Sequence, residues 1–313
     1  MTVEDVLAAR EAIAGRLHRT PMLSSATLSE LTGARVSLKA ELFQKTGSFK
    51  PRGVLTNLAA LLPEQRARGV ISISAGNHAQ ALAWGAKVEG LDALLVMWRG
   101  ASEAKIEATR AYGAEVDLET TSPAEAFERL AELQEETGRT LVHAFDHPLT
   151  IAGQGTVGLE IVEALPETAT LVVPVGGGGL ISGTALAAQG RRVVGVEPER
   201  SRAMHAALEA GHPVQVEPDS IADGLSPPFA GQNCFEIVRE LVEQVVLLTE
   251  DELKEGMRFC YRIAKLAAEP AGAAAVAALL AGKIPLEPGE NVVAIVSGGN
   301  VAPETAVAIL AGE

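Results

Sequence analysis

Short apolar runs rich in β-branched residues alternate with longer amphipathic stretches along almost the whole chain. This alternation is typical of βαβ units, in which helices join the strands of parallel sheets. Strands are predicted at residues 36–42, 70–74, 93–98, 115–118, 141–145, 171–175, 193–197, 245–248 and 292–296. Helices are predicted from apolar spacing at residues 2–17, 77–88, 102–112, 123–136, 155–164, 180–188, 251–266 and 271–281. The pattern therefore predicts an α/β fold with open parallel sheets.

Three of the predicted strands end in short segments of glycine and small polar residues, at 74–77, 175–179 and 297–300. In open parallel sheets, ligands bind outside the carboxyl ends of the strands, where such segments meet the starts of helices. We therefore expect these three segments to line one crevice.

The middle segment contains four consecutive glycines, 176–179, followed by an apolar helical stretch from Leu180. Glycine backbone N–H groups and a helix N-terminus together form a binding site for a phosphate. A dinucleotide fold is the alternative, because Glu197 ends the next strand about twenty residues later, where such folds carry a ribose-binding acid. The G-x-G-x-x-G spacing excludes it, since the last glycine would fall on Ile181 or Ser182.

Lys50 is a candidate for covalent chemistry. A lysine amine can hold a carbonyl cofactor as a Schiff base when burial or a neighbouring positive charge keeps it partly unprotonated. Most lysines are solvated surface charges, so the residue type alone leaves both interpretations open. The same holds for Asn77, which fits a helix cap as well as a ligand contact, for Ser297 in a tight glycine turn, and for Glu269, which precedes Pro270 as at a helix start.

Composition narrows the class of protein. A chain of 313 residues, 47% hydrophobic and 21% charged, suggests two globular domains that share a crevice. The 26 Lys and Arg against 40 Asp and Glu give a net charge of −14, which argues against nucleic acid or an anionic membrane as a partner. Two cysteines without ligand spacing, no signal sequence and no long apolar stretch predict a cytoplasmic protein without disulfides or structural zinc.

Four segments, in this order, resemble the signatures of the threonine dehydratase and serine racemase family, and the similarity runs from about the first helix to Val301. They are residues 46–53, 74–80, 176–179 and 297–300. This family is the β-elimination branch of the fold-type-II pyridoxal phosphate enzymes. The resemblance implies a two-domain, open parallel-sheet fold of the tryptophan synthase β type. It also implies a small domain of residues 69–146 inserted into a large domain of residues 1–68 and 147–313, and assembly as a homodimer or homotetramer.

The resemblance also implies a cofactor, pyridoxal 5′-phosphate, and roles for individual residues. Lys50 would hold the cofactor as a Schiff base and later remove the α-proton of the substrate. The implied cofactor contacts are Phe49, Lys50, Asn77, Gly176, Gly177, Gly178, Gly179, Leu180 and Ser297. The loop that would bind the substrate carboxylate comprises Ser74, Ala75, Gly76 and His78. Ser297 would contact the pyridine nitrogen, and Glu269 is implied only as an accessory acid near the site.

Two positions depart from the family pattern. Racemases carry a serine at the place of Ala75, where it serves the substrate face opposite the lysine, and alanine cannot transfer a proton. Family members with a divalent cation carry an aspartate at the place of Ala203, so no metal site is expected here. Because the sequence stops at Glu313, no isoleucine-sensing regulatory domain is expected either.

Together these features predict dehydration and deamination of L-threonine, and more weakly of L-serine, to 2-oxobutanoate or pyruvate and ammonia. A serine racemase or a hydroxyaspartate dehydratase is the alternative within the same chemistry. A non-catalytic amino-acid- or nucleotide-binding protein is the alternative from another class.

Overall fold

Two β-sheets organise the chain in a computed structural model, which describes residues 1–101 and 103–312. The strands are β1 Met22–Ser24, β2 Arg35–Ala40, β3 Val70–Ile73, β4 Ala93–Trp98, β5 Glu115–Thr120, β6 Thr140–Leu141, β7 Thr170–Pro174, β8 Arg192–Pro198, β9 Gln244–Leu248 and β10 Asn291–Val296. A six-stranded sheet has the order β1-β2-β10-β7-β8-β9, and a four-stranded sheet has the order β5-β4-β3-β6.

Parallel pairing dominates both sheets. Only the edge strand β1 is antiparallel, pairing with β2, and every other neighbour in the two sheets runs parallel. Strands β7 and β10 lie side by side in the larger sheet, so their carboxyl ends open at the same edge. The predicted α/β fold with open parallel sheets is therefore confirmed.

Helices connect the strands and cover the sheets. They are α1 Val3–Ala12, α2 Ala26–Thr32, α3 Pro51–Ala59, α4 Pro63–Arg68, α5 Asn77–Glu89, α6 Glu103–Ala111, α7 Pro123–Thr137, α8 Pro148–Ala164, α9 Gly179–Ala187, α10 Ala203–Ala210, α11 Gln232–Leu241, α12 Glu250–Phe259, α13 Pro270–Leu280 and α14 Pro303–Ala311. Helix α8 packs against both α3 and α9. Glycines permit this close approach: a Cβ at Gly153 would lie 2.6 Å from the carbonyl oxygen of Arg52, and one at Gly183 would lie 2.3 Å from that of Ile151.

Several predicted boundaries are wrong for identifiable reasons. The strand predicted at 141–145 ends at Leu141, because the amides of Phe145 and Asp146 donate to Nδ1 of His143 and not to a neighbouring strand. The helix predicted at 251–266 ends as an α-helix at Phe259 and continues as the π-helical turn Cys260–Ala264. The helix predicted at 155–164 begins earlier, at Pro148.

Strand β1 and the helices α2, α3, α4, α10, α11 and α14 were not predicted. Two other differences concern helix boundaries. The helix predicted at 2–17 ends at Ala12. The start predicted at Ser102 lies outside the described residues, and α6 begins at Glu103. No helix in the described part of the chain is long and apolar enough to cross a lipid bilayer.

Candidate active site

One cavity opens at the carboxyl ends of the parallel strands. It is lined by Phe49, Lys50, Asn77, Ala144, Phe145, Gln154, Pro174, Gly176, Gly177, Gly178, Gly179, Leu180, Gly224, Leu225, Glu269, Ala271 and Ser297. The structure thus brings together all nine residues for which the sequence predicts cofactor contact. They come from three loops that follow strands and from the turn before α3.

Lys50 lies at the start of α3, where Pro51 occupies the first helical position. Its Nζ donates a hydrogen bond to the carbonyl oxygen of Ala144 at 3.0 Å. Burial of the amine lowers the pKa of Lys50 to about 8, against the opposing effect of the nearby Glu269 carboxyl. An amine with this pKa is neutral far more often near pH 7 than an exposed lysine, as a nucleophile or base requires.

A buried ionic network holds the helix that begins after Lys50. Arg52, two residues further, is 1% exposed, and its guanidinium donates to both carboxylate oxygens of Glu41 at 2.8 Å and to Glu160 on α8 at 2.8 Å. The amine of Lys39 also donates to Glu160, at 2.6 Å. The network therefore fixes the end of β2, the start of α3 and the middle of α8 relative to one another.

The four-glycine segment forms a cradle between β7 and α9. Gly178 has φ +103°, a conformation that L side chains rarely adopt, and a Cβ on Gly177 would lie 2.3 Å from the ring of Phe145. None of the described residues accepts a hydrogen bond from the amides of Gly177 or Gly178. Unpaired amides at a helix N-terminus beside a lysine suit an anionic phosphate. The residues around this cavity therefore fit pyridoxal phosphate.

Ser297 follows β10 and faces the same cavity. Its carbonyl oxygen accepts from the amide of Phe49 at 3.1 Å, which joins this loop to the turn carrying Lys50. Gly272 allows the loop to lie close, because a Cβ there would be 2.0 Å from the carbonyl oxygen of Gly298.

Asn77 is the first residue of α5 and forms side-chain hydrogen bonds on both sides. Its Nδ2 donates to Oε1 of Glu269 at 2.6 Å, and its Oδ1 accepts from Nδ2 of Asn300 at 2.7 Å. The structure shows no side-chain cap at this helix start, so Asn77 does not take the capping role that its residue type also allowed. Burial raises the pKa of the Glu269 carboxyl to about 7, and the charge of Asp223 adds to the rise.

The residues of the predicted substrate loop, 74–76 and His78, differ in burial. Ser74, Ala75 and Gly76 are half-buried between β3 and α5, outside the residues that line the cavity wall. His78 packs beneath them, 3% exposed, with Nε2 3.0 Å from the carbonyl oxygen of Val142. Burial lowers the pKa of His78 to about 3, so the ring is neutral. His78 is therefore packed in the interior of this structure.

The carboxylate of Glu197 is buried and caps the start of α10. Glu197 accepts from the amides of Met204 and His205, each at 2.8 Å, at the start of α10. Burial raises its pKa to about 8, against those two hydrogen bonds. Across residues 1–101 and 103–312, no group of three or more His, Cys, Asp or Glu side chains is arranged to hold a metal.

Sequence reasoning missed several residues of the site. Gln154 and Leu225 line the cavity, and nothing in their sequence surroundings marked them. Phe145 also lines the cavity and lies against the glycine cradle. Asn300 belongs to a recognised signature segment, which was a usable signal, but no role was assigned to it.

Comparison with known proteins agrees with this geometry. A family model described as "Pyridoxal-phosphate dependent enzyme" matches residues 13–298. L-threonine ammonia-lyase of Thermotoga maritima is 44% identical over 306 residues, which is 96% of this chain and 76% of that protein.

Solved structures align over nearly the same span. Maize serine racemase superimposes with a TM-score of 0.94 at 37% identity, covering 98% of this chain and 96% of that one. A threonine deaminase from T.th. superimposes with a TM-score of 0.90 at 40% identity, covering 96% and 99%. These matches confirm the fold-type-II architecture and the cofactor that the sequence predicted. The chain belongs to the family of pyridoxal-phosphate dependent enzymes.

Proposed function

We propose that this protein dehydrates and deaminates L-threonine, and more weakly L-serine. Elimination of water gives an enamine, and hydrolysis of that enamine takes up one water and releases ammonia and 2-oxobutanoate or pyruvate. It is a pyridoxal-phosphate-dependent lyase whose relatives at 38–44% identity are named threonine ammonia-lyases or dehydratases. The observation that carries the proposal is Lys50, a cavity lysine with a lowered pKa, placed among the glycine cradle, Asn77 and Ser297.

Each residue of the cavity has a defined task in this proposal. When bound, pyridoxal phosphate supplies an electron sink that makes the α-proton of an amino acid acidic. Lys50 holds the cofactor and then, as a free amine, removes that proton. The amides of the glycine cradle bind the phosphate.

The two remaining polar contacts tune the ring. Ser297 lines the cavity, and its hydroxyl would contact the ring nitrogen of the cofactor. A hydroxyl does not support a charged pyridinium as a carboxylate would, so loss of a β-leaving group would compete well with side reactions. The amide nitrogen of Asn77 would donate to the phenolic oxygen of the cofactor. The loop at residues 74–76 would bind the substrate carboxylate through backbone N–H groups. The amide of Ser74 donates to the carbonyl oxygen of Val96 in this structure, so the amide of Ala75 is the main candidate.

A serine racemase is the second candidate, because maize serine racemase superimposes with a TM-score of 0.94. Racemisation requires a proton donor on the substrate face opposite the lysine, and Ala75 has no such group. This favours elimination over racemisation. A non-catalytic binding protein is disfavoured because Lys50, Asn77, the glycines and Ser297 are all present around one cavity.

Domain organisation and assembly extend the proposal. We place a small domain at residues 69–146, since all four strands of the smaller sheet fall within it, and a large domain at 1–68 and 147–313. A cytoplasmic homodimer or homotetramer that acts on a small amino acid completes the proposal, on the strength of the family resemblance.

A steady-state comparison of L-threonine, L-serine, D-serine and 3-hydroxyaspartate tests the function. We expect the highest kcat/KM for L-threonine, with ammonia and 2-oxobutanoate formed together. Lys50→Ala should reduce turnover by at least about 10³-fold, within the range for loss of a general base, and abolish the visible absorbance of covalently held cofactor. Lys87→Ala, an exposed lysine on α5, is the matched control. Normal turnover by Lys50→Ala, or a clear preference for another substrate, would contradict the proposal.

A further inference from the structure

The side chain of Asn77 belongs to a series of hydrogen bonds that reaches the cavity wall at Asn77 and Glu269. Asn300 Nδ2 donates to the carbonyl oxygen of Thr46 at 2.7 Å and to Oδ1 of Asn77 at 2.7 Å. Asn77 Nδ2 then donates to Oε1 of Glu269 at 2.6 Å. These hydrogen bonds connect the turn before Lys50, the start of α5 and the residue before α13. Helix α5 follows a strand of the smaller sheet, whereas the other two segments adjoin the larger sheet.

The direction of these hydrogen bonds follows from the first of them. A backbone carbonyl such as that of Thr46 can only accept, so the atom of Asn300 that faces it must be the amide nitrogen. The same nitrogen is 2.7 Å from Asn77, so it must face the amide oxygen of Asn77, since two N–H donors at that distance would repel.

The hydrogen bond at the other end, between Asn77 and Glu269, agrees with this orientation of the two amides. The nitrogen of Asn77 faces the carboxyl of Glu269, which is 2% exposed and accepts at Oε1. A protonated carboxyl still accepts through its carbonyl oxygen, so the raised pKa of Glu269 leaves the direction unchanged. Each amide nitrogen has two hydrogens, and Asn77 uses one on Glu269, which leaves one free in the cavity.

We infer that Asn300 is a positioning residue: it orients the amide of Asn77 so that a hydrogen-bond donor, never an acceptor, faces the cofactor. The inference rests on the proposed contact between Asn77 and the phenolic oxygen of the cofactor. That oxygen is anionic in the bound cofactor, so a wrongly oriented amide would present oxygen to oxygen. Loss of a hydrogen bond to a charged group is expected to weaken binding by about tenfold, which corresponds to about 1.4 kcal/mol.

A double-mutant cycle on the full-length protein tests the inference, with pyridoxal phosphate as the probe. Asn300→Asp keeps the side-chain shape and removes both donated hydrogen bonds. We expect it to weaken cofactor binding by about tenfold and to shift the pH midpoint of the bound cofactor's visible absorbance. In an Asn77→Ala background the same substitution should change the cofactor Kd by less than about twofold, because the partner through which it acts is gone.

A matched control separates orientation from general loss of stability. Asn57 Nδ2 also donates to a backbone carbonyl, that of Gly53 at 2.7 Å, and to a side-chain oxygen, Thr150 Oγ1 at 2.9 Å, but Asn57 lies outside the cavity. Asn57→Asp should lower the thermal stability of the cofactor-free protein and leave cofactor Kd and absorbance unchanged.

Three outcomes overturn the inference. They are an equal effect of Asn300→Asp in both backgrounds, the same change of absorbance in Asn57→Asp, and unchanged cofactor binding by Asn77→Ala. These readouts concern cofactor affinity and spectrum, so they do not depend on which amino acid is turned over. Failure of the threonine assignment is therefore distinguishable from failure of this inference.

Discussion

At the scale of single residues, Ala75 separates two reactions that share one cofactor. Ala75→Ser adds a hydroxyl to the half-buried loop between β3 and α5, on the side proposed to lack a proton donor. We expect the parent protein to form little D-serine relative to pyruvate, and the variant to racemise L-serine at least about tenfold faster, within the range that a positioned proton donor contributes. Chiral analysis of residual serine during turnover measures this. Substantial D-serine from the parent would replace the dehydratase assignment with a racemase.

Glu269 gives a prediction about pH. Burial raises its folded-state pKa from 4.5 to about 7, so between these values the unfolded chain releases a proton that the folded protein keeps. The contribution of Glu269 to stability is therefore present below pH 4.5 and is lost as pH rises to 7, by on the order of 3 kcal/mol. In urea unfolding of the cofactor-free protein, Glu269→Gln should remove this part of the decline in the free energy of unfolding between pH 4.5 and 7. Glu304→Gln, at an exposed site on α14, should leave it unchanged. Identical pH profiles for the parent and Glu269→Gln would contradict this assignment.

Signature residues were predictable from the sequence, whereas their partners were not. Lys50, Asn77, the glycines and Ser297 belong to short contiguous motifs, and all of them line one cavity. Phe145 and Gln154 reach the same cavity from irregular chain and from the second turn of α8. Their position depends on how α8 packs between α3 and α9, which a local pattern does not encode.

At the scale of secondary-structure elements, strands were predicted better than helices. The central strands are continuous apolar runs, a pattern that is typical of buried parallel strands. Helix α3 was not predicted for two reasons. Its first residues belong to the signature segment 46–53, and its face against α8 includes Arg52, Gly53 and Asn57, which are not apolar. The ionic partners of Arg52 are distant in sequence, so its burial was not visible from the sequence.

Removal of Arg52 should therefore be costly. Arg52→Met keeps much of the side-chain volume but leaves the buried carboxylate of Glu41 without its partner. We expect a loss of about 3–5 kcal/mol in the free energy of unfolding, the range for breaking one half of a buried ion pair. Arg10→Met breaks an exposed pair with Glu163 and should cost no more than about 1 kcal/mol. Urea unfolding of both variants decides the matter, and equal losses would show that the network contributes no more than a surface pair.

At the scale of the whole molecule, the cavity lies between the loops and helices that follow strands of the two sheets. Asn77 comes from the helix after β3 of the smaller sheet, whereas the glycine cradle and Ser297 follow strands of the larger sheet. Direct contacts between these parts include the ion pair of Lys105 with Asp223. The rings of Phe127 and Phe229 also pack together, with their centroids 5.8 Å apart. A ligand that contacts Asn77 and the glycines at once would add a further connection.

Hydrogen exchange can measure that connection. Binding stabilises the folded state in proportion to ln(1 + [L]/Kd), and slows exchange where opening disrupts the ligand's contacts. We expect pyridoxal phosphate to slow amide exchange both at residues 177–182 and in the first turn of α5. In Asn77→Ala, at cofactor concentrations that saturate the variant, the protection at 177–182 should remain and that at 78–81 should largely disappear. Helix α4 serves as the internal control, because it lies outside the cavity. Full protection of α5 in the variant would mean that the cofactor links the two sheets through another residue, and that Asn77 is not the contact that joins the proposed small domain to the large one.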